Sequence, residues 1–375
     1  MKVIHVVWGL KFGGIETMLV NIANEQVKAG ADVCVMIIND YWDDALMQSF
    51  DERVKLLLVH RKLGSRTPWF MVRMNRMLFR EHGDVVHLHD SAIYSLIFKH
   101  VSREVCCTLH ALPHGVVRRE EGIYKFLPIL NIITKVGGNV QNIDRIPHVF
   151  AISQAVHDEL LKQYGVESHV IDNGIQTEKF RRRGFRKASD PFRIVMVSRL
   201  EYKKKGQDLL IRAAANLQGR VLVDLIGEGN DLAYLKKLTE EFHAEHYVRF
   251  LGAKVYDEIK ESLAEYDLLV QPSYIEGFGL TTVEAMAAGV PVLVSSGQGP
   301  AEIICGDMYG WTFENGKVDD LTCKIEQIVD NYDKALEKAT AARDYVINTY
   351  DVSVTADKYL KEYEGWECGH FLGDP

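Results

Sequence analysis

The sequence of 375 residues lacks the patterns that mark several large classes of protein. No stretch approaches the roughly 18 consecutive apolar residues of a membrane span, and the apolar run 3–8 is too short for a signal peptide. The net charge of −8 has the wrong sign for a protein whose main partner is nucleic acid. The six cysteines show no C-x-x-C pair or other metal-ligand spacing. We therefore expect a globular cytoplasmic protein that needs no nucleic acid, and contact with the cytoplasmic face of a membrane stays open.

Two cofactor signatures are also missing. No G-x-G-x-x-G dinucleotide fingerprint follows the first predicted strand, because Gly9 and Gly13 lie four residues apart. No D-x-D motif for a metal ion occurs in the sequence. The missing fingerprint disfavours a dehydrogenase, although the backbone N–H groups of Gly13 and Gly14 could still lie near a phosphate.

Short apolar runs alternate with helical patterns along the chain, which is typical of βα units and parallel sheets. The pattern lapses at the polar, charged stretch 181–190 and then resumes. We therefore expect an α/β protein of two doubly wound, Rossmann-like domains, 1–185 and 186–354, facing each other across a cleft. A C-terminal helix at about 355–375 would pack back on the first domain. The predicted strands are 2–8, 32–38, 54–59, 84–89, 104–109, 147–152, 168–172, 192–198, 220–226, 247–251, 267–271 and 290–295.

The most informative segment is 276–284, which reads Glu-Gly-Phe-Gly-Leu-Thr-Thr-Val-Glu. It follows a predicted strand and leads into an apolar helix that we expect to begin at Val283. Free N–H groups at such a junction bind anions, so a phosphate fits at 279–282, and Glu284 is placed to accept hydrogen bonds from sugar hydroxyls. This combination indicates a nucleotide sugar. The alternative is an ordinary glycine turn before a helix whose dipole favours an acidic residue.

Cationic and small residues follow two more strands of the second half. Arg199 and Lys205 come just after strand 192–198 and could hold a diphosphate. The glycine-rich stretch 227–230 follows the next strand, where small residues permit the close approach of a flat nucleobase. A solvated lysine loop and a simple turn are the respective alternatives.

Histidines cluster at two strand ends of the first half. His87, His89 and Asp90 end one predicted strand, and His110 ends the next. Because adjacent parallel strands end side by side, His89, Asp90 and His110 could line one cleft. No closed set of zinc ligands is evident, so hydrogen bonding to a sugar or an acceptor is the preferred role, with ordinary loop histidines as the alternative.

With these features in place, the chain resembles glycosyltransferase family 4, the retaining group 1 enzymes of GT-B fold. The resemblance covers almost the whole sequence and is more specific in the second half. The segments that carry it, in chain order, are 13–16, His110, 173–175, 198–200, 205–206, 227–229, 276–280 and 284–285.

The resemblance implies a site for a nucleotide-diphosphate sugar, with UDP as the expected carrier and no metal or other cofactor. Arg199 and Lys205 would hold the diphosphate, although a loop one residue longer than usual leaves Lys204 as a substitute. Glu284 would bind the ribose, and Glu276 the transferred sugar. His110 would lie beside that sugar, and catalysis would fall to His110, Glu276, Arg199 and Lys205. The implied donor-binding residues are Gly13, Gly14, Arg199, Lys204, Lys205, Gly227, Glu228, Glu276, Gly277, Phe278, Gly279, Leu280, Thr281 and Glu284.

The activity implied is that of a hexosyltransferase that moves a sugar to a glycan with retention and without metal. The alternatives are a nucleotide-sugar epimerase or a phosphorylase of similar architecture, for which no pyridoxal-phosphate lysine is supported, and an inactive sugar-nucleotide-binding subunit. Which sugar moves, and to which hydroxyl, is not encoded in any motif.

The basic and apolar segment 61–80 bears on the acceptor. A helix over 68–80 would carry Arg73, Arg76 and Arg80 on one side, which suits an interfacial helix on an anionic membrane. A surface helix packed on the first sheet is the alternative, and 124–130 is a second candidate for membrane contact. An interfacial helix would indicate a lipid-linked glycan acceptor in the synthesis of capsule, O-antigen, lipopolysaccharide or exopolysaccharide.

Overall fold

The computed structural model describes residues 1–11, 13–65, 67–98, 104–114, 138–184 and 186–369. The chain folds into two compact units, Met1–Gly174 with Val352–Pro375 and Ile175–Asp351. Each unit contains one parallel sheet with helices, which confirms the predicted α/β class of two doubly wound sheets. The second candidate for membrane contact, 124–130, lies outside the described residues.

The first unit is built on a seven-stranded parallel sheet of order β3-β2-β1-β4-β5-β6-β7. Its central strands are apolar and buried along their length, because helices cover both faces of such a sheet. The strands are β1 (Lys2–Val7), β2 (Asp32–Asn39), β3 (Lys55–Arg61), β4 (Val85–Leu88), β5 (Glu104–Leu109), β6 (His148–Ala151) and β7 (His169–Val170). The helices are α1 (Gly14–Lys28), α2 (Asp44–Gln48), α3 (Trp69–Glu81) and α4 (Gln154–Tyr164).

The second unit is built on a six-stranded parallel sheet of order β10-β9-β8-β11-β12-β13. Every predicted strand of the chain is present with small shifts at its ends, and β13 was not predicted. The strands are β8 (Phe192–Val197), β9 (Val221–Ile226), β10 (Val248–Gly252), β11 (Leu268–Gln271), β12 (Val292–Ser295) and β13 (Trp311–Phe313). The helices are α5 (Tyr202–Lys205), α6 (Gln207–Asn216), α7 (Leu232–Glu241), α8 (Tyr256–Ser262), α9 (Leu280–Ala287), α10 (Gly299–Ile303), α11 (Val318–Asp330) and α12 (Tyr332–Thr349).

The last helix, α13 (Val352–Gly369), returns to the first unit and packs on α1. Its Tyr359 and Tyr363 are fully buried in a core shared with Met18 and Ile22 of α1. None of the helices in the described part of the chain is both long and apolar enough to cross a bilayer.

The chain passes between units earlier than the boundary expected after residue 185. The charged stretch interpreted as a linker packs on the second unit instead. Arg183 is buried there, and its guanidinium donates hydrogen bonds to Asp267 (2.7 Å) and to the Tyr332 hydroxyl (2.6 Å). A buried, paired arginine belongs to a core, so a charged sequence alone was a poor indicator of a linker.

Both sheets reverse their strand order at one point, between β1 and β4 in the first unit and between β8 and β11 in the second. Ligands of such sheets bind beside the carboxyl ends of the strands at this point. The residues that follow these strands are therefore the candidates for ligand binding.

Candidate functional site

In the second unit, the loops after β8 and β11 bring a cation and an anion together. The Lys205 Nζ atom lies 2.6 Å from the Glu276 Oε2 atom. The two side chains are only 18% and 17% exposed, so the pair is held in partly buried surroundings. The pair therefore places one cation and one anion together after the carboxyl ends of two neighbouring strands.

A glycine contact determines which lysine makes this pair. The short helix α5 ends at Gly206, whose φ of 73° lies in the left-handed region. A Cβ atom on Gly206 would lie 1.9 Å from the Pro272 carbonyl oxygen, so only glycine allows this close approach. The approach fixes Lys205 beside the loop after β11. Lys204, by contrast, is 61% exposed, and its ammonium lies 3.6 Å from Glu201.

Two glutamines that the sequence analysis missed hold Glu276. The Gln271 Nε2 atom donates to the Glu276 carboxylate (3.0 Å), while its Oε1 atom accepts from the hydroxyls of Thr281 (2.9 Å) and Thr282 (2.7 Å). The Gln298 Oε1 atom accepts from the Glu276 backbone N–H (2.8 Å). The available signal was an amide, Gln271, at the end of an otherwise apolar strand.

The helix after this loop begins at Leu280, so the expected start at Val283 was wrong. Gly279 forms its N-cap with a φ of 101°, a conformation that favours glycine. Leu280 and Thr281 lie in the first turn, where N–H groups have no intrahelical partners, whereas the Thr282 N–H donates to the Gly279 carbonyl (2.9 Å). The earlier start leaves an anion-binding end at 279–281 and places Glu284 in the second turn.

Glu284 is a buried carboxylate whose Oε1 atom accepts a hydrogen bond from the Tyr256 hydroxyl at 2.9 Å. Burial disfavours its charged form and raises the pKa of Glu284 to about 7. Strongly shifted carboxylates of this kind are enriched at functional sites. Phe278, in the same loop, is buried and contacts the ring of Tyr350.

The glycines after β9 pack on the neighbouring loop. A Cβ atom on Gly227 would lie 2.0 Å from the Ser198 carbonyl oxygen, and one on Gly229 would lie 2.3 Å from the Leu200 carbonyl oxygen. The Glu228 carbonyl accepts from the Leu200 N–H (2.9 Å). Backbone contact therefore explains these glycines without a nucleobase.

Arg199 lies on the loop that these glycines support. Its guanidinium is largely exposed and pairs with Glu201 at 3.0 Å, while Glu276 takes Lys205. The buried Gln207 holds the loop by donating to the Arg199 carbonyl (2.7 Å). Among the predicted catalytic residues of the second unit, the structure thus brings Lys205 and Glu276 together, while Arg199 pairs with Glu201 on the preceding loop.

In the first unit, Gly13 is the N-cap of α1, and Gly14 is its first residue. A Cβ atom on Gly13 would lie 2.6 Å from the Glu16 carboxylate, so a carboxylate of the helix itself already lies at this helix end. Burial raises the pKa of Glu16. A phosphate near Gly13 and Gly14 would have to share this end of the helix with Glu16.

The histidines at the other strand ends form a connected group. His89 and His110 contact each other as expected, with the His89 Nδ1 atom 2.9 Å from the His110 Nε2 atom. Asp90 is not part of this contact, because its carboxylate accepts from the Trp8 indole (3.0 Å) and the Ala92 N–H (2.8 Å). His5, in the middle of the apolar strand β1, was not anticipated, and its Nδ1 atom lies 3.1 Å from the His89 Nε2 atom.

His5, His87 and His89 also bring ring nitrogens within 4.8 Å of one another, a spacing that would suit a metal ion. Both nitrogens of His87 already have partners, the Tyr363 hydroxyl (2.6 Å) and the Thr108 hydroxyl (2.7 Å). A metal ion would have to displace these buried hydrogen bonds. The group therefore fits a hydrogen-bonded network better than a metal centre.

Two family models match the chain. The model of Glycosyltransferase Family 4 matches residues 12–179, and that of Glycosyl transferases group 1 matches residues 177–345. Among solved structures, a glycosyltransferase from Rickettsia africae has a TM-score of 0.76 at 18% identity, over 97% of this chain and 98% of that chain. HepE from Anabaena, solved with UDP and glucose, has a TM-score of 0.74 at 21% identity, over 97% of this chain and 99% of that chain. These similarities confirm the GT-B fold.

Two curated relatives align with shorter parts of the chain than these solved structures do. A glycogen synthase from Mycobacterium tuberculosis is 28% identical over 223 residues, which cover 57% of this chain and 54% of that protein. The chain thus spans about half the length of this relative. A GDP-mannose-dependent alpha-(1-6)-phosphatidylinositol monomannoside mannosyltransferase from the same organism is 24% identical over 300 residues, 74% of this chain and 75% of that protein. The two family models, which follow one another along the sequence and together span residues 12–345, show that the chain belongs to glycosyltransferase family 4, among the glycosyl transferases of group 1.

Proposed function

We propose that this glycosyltransferase moves a sugar, with retention and without a metal ion, from a UDP-sugar to a glycan acceptor. The observation that carries the proposal is the Lys205–Glu276 pair beside the first turn of α9. It joins a cation for phosphate, an acceptor for sugar hydroxyls and a helix N-terminus at one switch point of a parallel sheet.

Departure of the nucleoside diphosphate builds negative charge on its outer phosphate. The Lys205 ammonium and the N–H groups at the start of α9 are oriented before the reaction, which is the arrangement that stabilises a developing charge most effectively. Arg199, exposed on the adjoining loop, would reach the same diphosphate by a side-chain rotation. These cationic groups would replace the charge that a magnesium ion supplies in other transferases.

The two carboxylates would bind different parts of the donor. Glu284 would accept hydrogen bonds from the ribose, and Glu276 from the transferred sugar, with Gln271 fixing the orientation of the Glu276 carboxylate. Glu276 is engaged by Lys205, so we assign it to positioning and leave the acceptor's proton to the departing phosphate. A UDP-sugar is the proposed donor because HepE, which has the same fold, was solved with UDP-glucose.

Isothermal titration with UDP-, GDP- and ADP-sugars tests the donor site. We expect one nucleotide class to bind and Glu284→Gln to weaken that binding about 10- to 100-fold, since a hydrogen bond to a charged group is worth about 1.5–3 kcal/mol. Glu240→Gln, an exposed carboxylate on α7, is the matched control and should leave affinity unchanged. Equal affinity in wild type and Glu284→Gln would remove Glu284 from the site.

The products test the reaction itself. Proton NMR of the transferred sugar should show the anomeric configuration of the donor. An inverted product would refute the retaining mechanism. Donor binding with neither transfer nor hydrolysis would instead support an inactive sugar-nucleotide-binding protein.

The exposed side of α3 supports a lipid-linked acceptor. Phe70, Met74 and Leu78 point into the first unit, as a surface helix requires. The opposite side combines large apolar and cationic side chains, with Trp69 75% exposed and Phe79 58% exposed. The exposed residues of this side are Trp69, Val72, Arg73, Arg76, Phe79 and Arg80.

Aromatic and basic residues on one helical face suit the interface of an anionic bilayer. The side chains of Trp69 and Arg73 also border a cavity of about 260 Å³ on the first unit. We therefore propose that α3 docks on a membrane and that the acceptor is a lipid-linked glycan of a cell-envelope polysaccharide. The M. tuberculosis mannosyltransferase relative is likewise named for a phosphatidylinositol-linked acceptor.

Vesicle sedimentation tests the docking. We expect vesicles containing phosphatidylglycerol to bind the protein and Arg76→Gln to weaken this about fivefold, because each basic residue near an anionic surface contributes about 1 kcal/mol. Lys162→Gln, which removes an exposed charge from α4, is the control. Binding that responds equally to both substitutions would show a diffuse charge effect and refute docking through α3.

A further inference from the structure

A continuous hydrogen-bonded chain of side chains crosses the first unit from α1 to the end of β5. The Gln26 Oε1 atom lies 2.7 Å from the His5 Nε2 atom, and the His5 Nδ1 atom lies 3.1 Å from the His89 Nε2 atom. The His89 Nδ1 atom in turn lies 2.9 Å from the His110 Nε2 atom. His5 and His89 thus use both ring nitrogens, and His110, the last member, uses only its Nε2 atom.

With the oxygen of the Gln26 amide facing His5, the chemistry of this first member gives the direction of every bond. An amide oxygen only accepts, so the hydrogen between Gln26 and His5 belongs to His5 Nε2. A neutral imidazole carries one hydrogen, so His5 Nδ1 is bare and must accept from His89 Nε2–H. The same step leaves His89 Nδ1 bare and gives His110 an Nε2–H. By this sequence His110 is left with a bare Nδ1 atom, a hydrogen-bond acceptor.

Burial keeps each histidine of this group neutral. Desolvation lowers the pKa of His5 and of His110 to about 4 each. Desolvation, together with the neighbouring His87, His110 and His5, lowers the pKa of His89 well below its usual value. Near pH 7 a second ring hydrogen is therefore absent from each of these histidines.

The series of hydrogen bonds ends at a ring nitrogen of His110. His110 Nδ1 is buried and has no hydrogen-bond partner in the part of the chain that the structure describes. An unpaired buried acceptor is destabilising, and a hydroxyl donor brought by a ligand would pair it. Sugars carry such donors.

We propose that Gln26, His5 and His89 are positioning residues that hold His110 as its Nε2–H tautomer, so that His110 Nδ1 accepts a hydrogen bond from a hydroxyl of the bound sugar. The role toward sugar rests on the proposed transferase function. The tautomer itself is a property of the protein without ligand, and it makes His110 selective for hydroxyl donors over acceptors such as a carbonyl oxygen.

Nitrogen-15 NMR of the histidine-labelled protein tests the tautomer, because ring nitrogens with and without hydrogen resonate at well-separated frequencies. We expect His5, His89 and His110 all to be Nε2–H. Gln26→Met removes the acceptor and should give His110 a mixture of tautomers. A His110 Nδ1–H in the wild type, or one tautomer unchanged in Gln26→Met, would overturn the proposal.

A matched control lies in the same buried layer. His87 stacks on His89 at 4.6 Å between ring centroids, yet its hydrogen bonds go to Thr108 and Tyr363, outside the chain to His110. Thr108→Val should lower the melting temperature without changing the His110 tautomer. A change in that tautomer would mean that general loosening, not the Gln26 acceptor, governs it, and would refute the proposal.

Kinetics separate this inference from the transferase function. With the donor found by titration, Gln26→Met should lower kcat more than it raises KM. If the tautomers follow expectation but no sugar nucleotide binds, the proposed function is wrong, while the role of Gln26, His5 and His89 in holding the His110 tautomer is retained. If transfer proceeds with unchanged kcat in Gln26→Met, that positioning role is wrong, while the proposed function is retained.

Discussion

Replacing Glu284 by glutamine should stabilise the protein at neutral and alkaline pH while it weakens donor binding. The pKa of Glu284 rises from 4.5 to about 7 in the folded protein, and one pKa unit corresponds to about 1.36 kcal/mol, so ionised Glu284 costs about 3 kcal/mol of stability. The folded protein binds more protons than the unfolded chain between these values, so stability falls as pH rises from about 4.5 to about 7. Glutamine keeps an acceptor for Tyr256 and removes the charge.

Hydrogen exchange of peptides from α9, measured in urea at several pH values, isolates this effect to the second unit. We expect the free energy of unfolding of Glu284→Gln to match that of wild type near pH 4.5 and to exceed it by about 2–3 kcal/mol at pH 8. Donor affinity of the wild type should fall below pH 7, because a protonated carboxyl cannot accept from both ribose hydroxyls. If the free energy of unfolding changes with pH in the same way in wild type and variant, the reasoning is refuted, because the pKa of Glu284 would then not rise on folding.

Two further predictions concern the loop that positions Lys205. Lys205→Met should weaken donor binding about 10- to 100-fold in titration calorimetry, through loss of a charged hydrogen bond worth about 1.5–3 kcal/mol, and Lys204→Met should not; equal effects would contradict the geometry. Gly206→Ala should cost more than about 2 kcal/mol in thermal unfolding, because the left-handed backbone costs about 1–2 kcal/mol and the new Cβ would meet the Pro272 carbonyl. Gly252→Ala is the control, because Gly252 has a φ of 71° and open space around its Cα atom, so the variant should lose only the stability that the left-handed backbone costs. If it loses as much stability as Gly206→Ala, the close approach to Pro272 is unimportant.

The fold was accessible from sequence because parallel strands buried on both faces leave continuous apolar runs. The strand β13, which was not predicted, has three residues, Trp311–Phe313, at the edge of its sheet. Three residues are too few to show a hydrophobic pattern typical of a strand. The boundary between units was misplaced because Arg183 is paired inside the second unit with Asp267, a partner distant in sequence that no local pattern announces.

The donor loop was accessible as a motif, but its internal contacts were not. Whether Lys204 or Lys205 faces Glu276 depends on the backbone contact between Gly206 and Pro272, which is a property of the folded loops. The role of His5 was hidden for a similar reason, since a histidine within an apolar strand gives no sign of its neighbours.

The hydrogen bond between His87 and Tyr363 joins residues separated by 276 positions, across the entire second unit. During synthesis, the first unit emerges from the ribosome well before α13, which carries Tyr359 and Tyr363. Its buried layer of histidines is therefore completed only when the last segment arrives, and until then that layer is open to water. The second unit has all its strands in one stretch of chain, so vectorial synthesis lets it finish first, although it begins later.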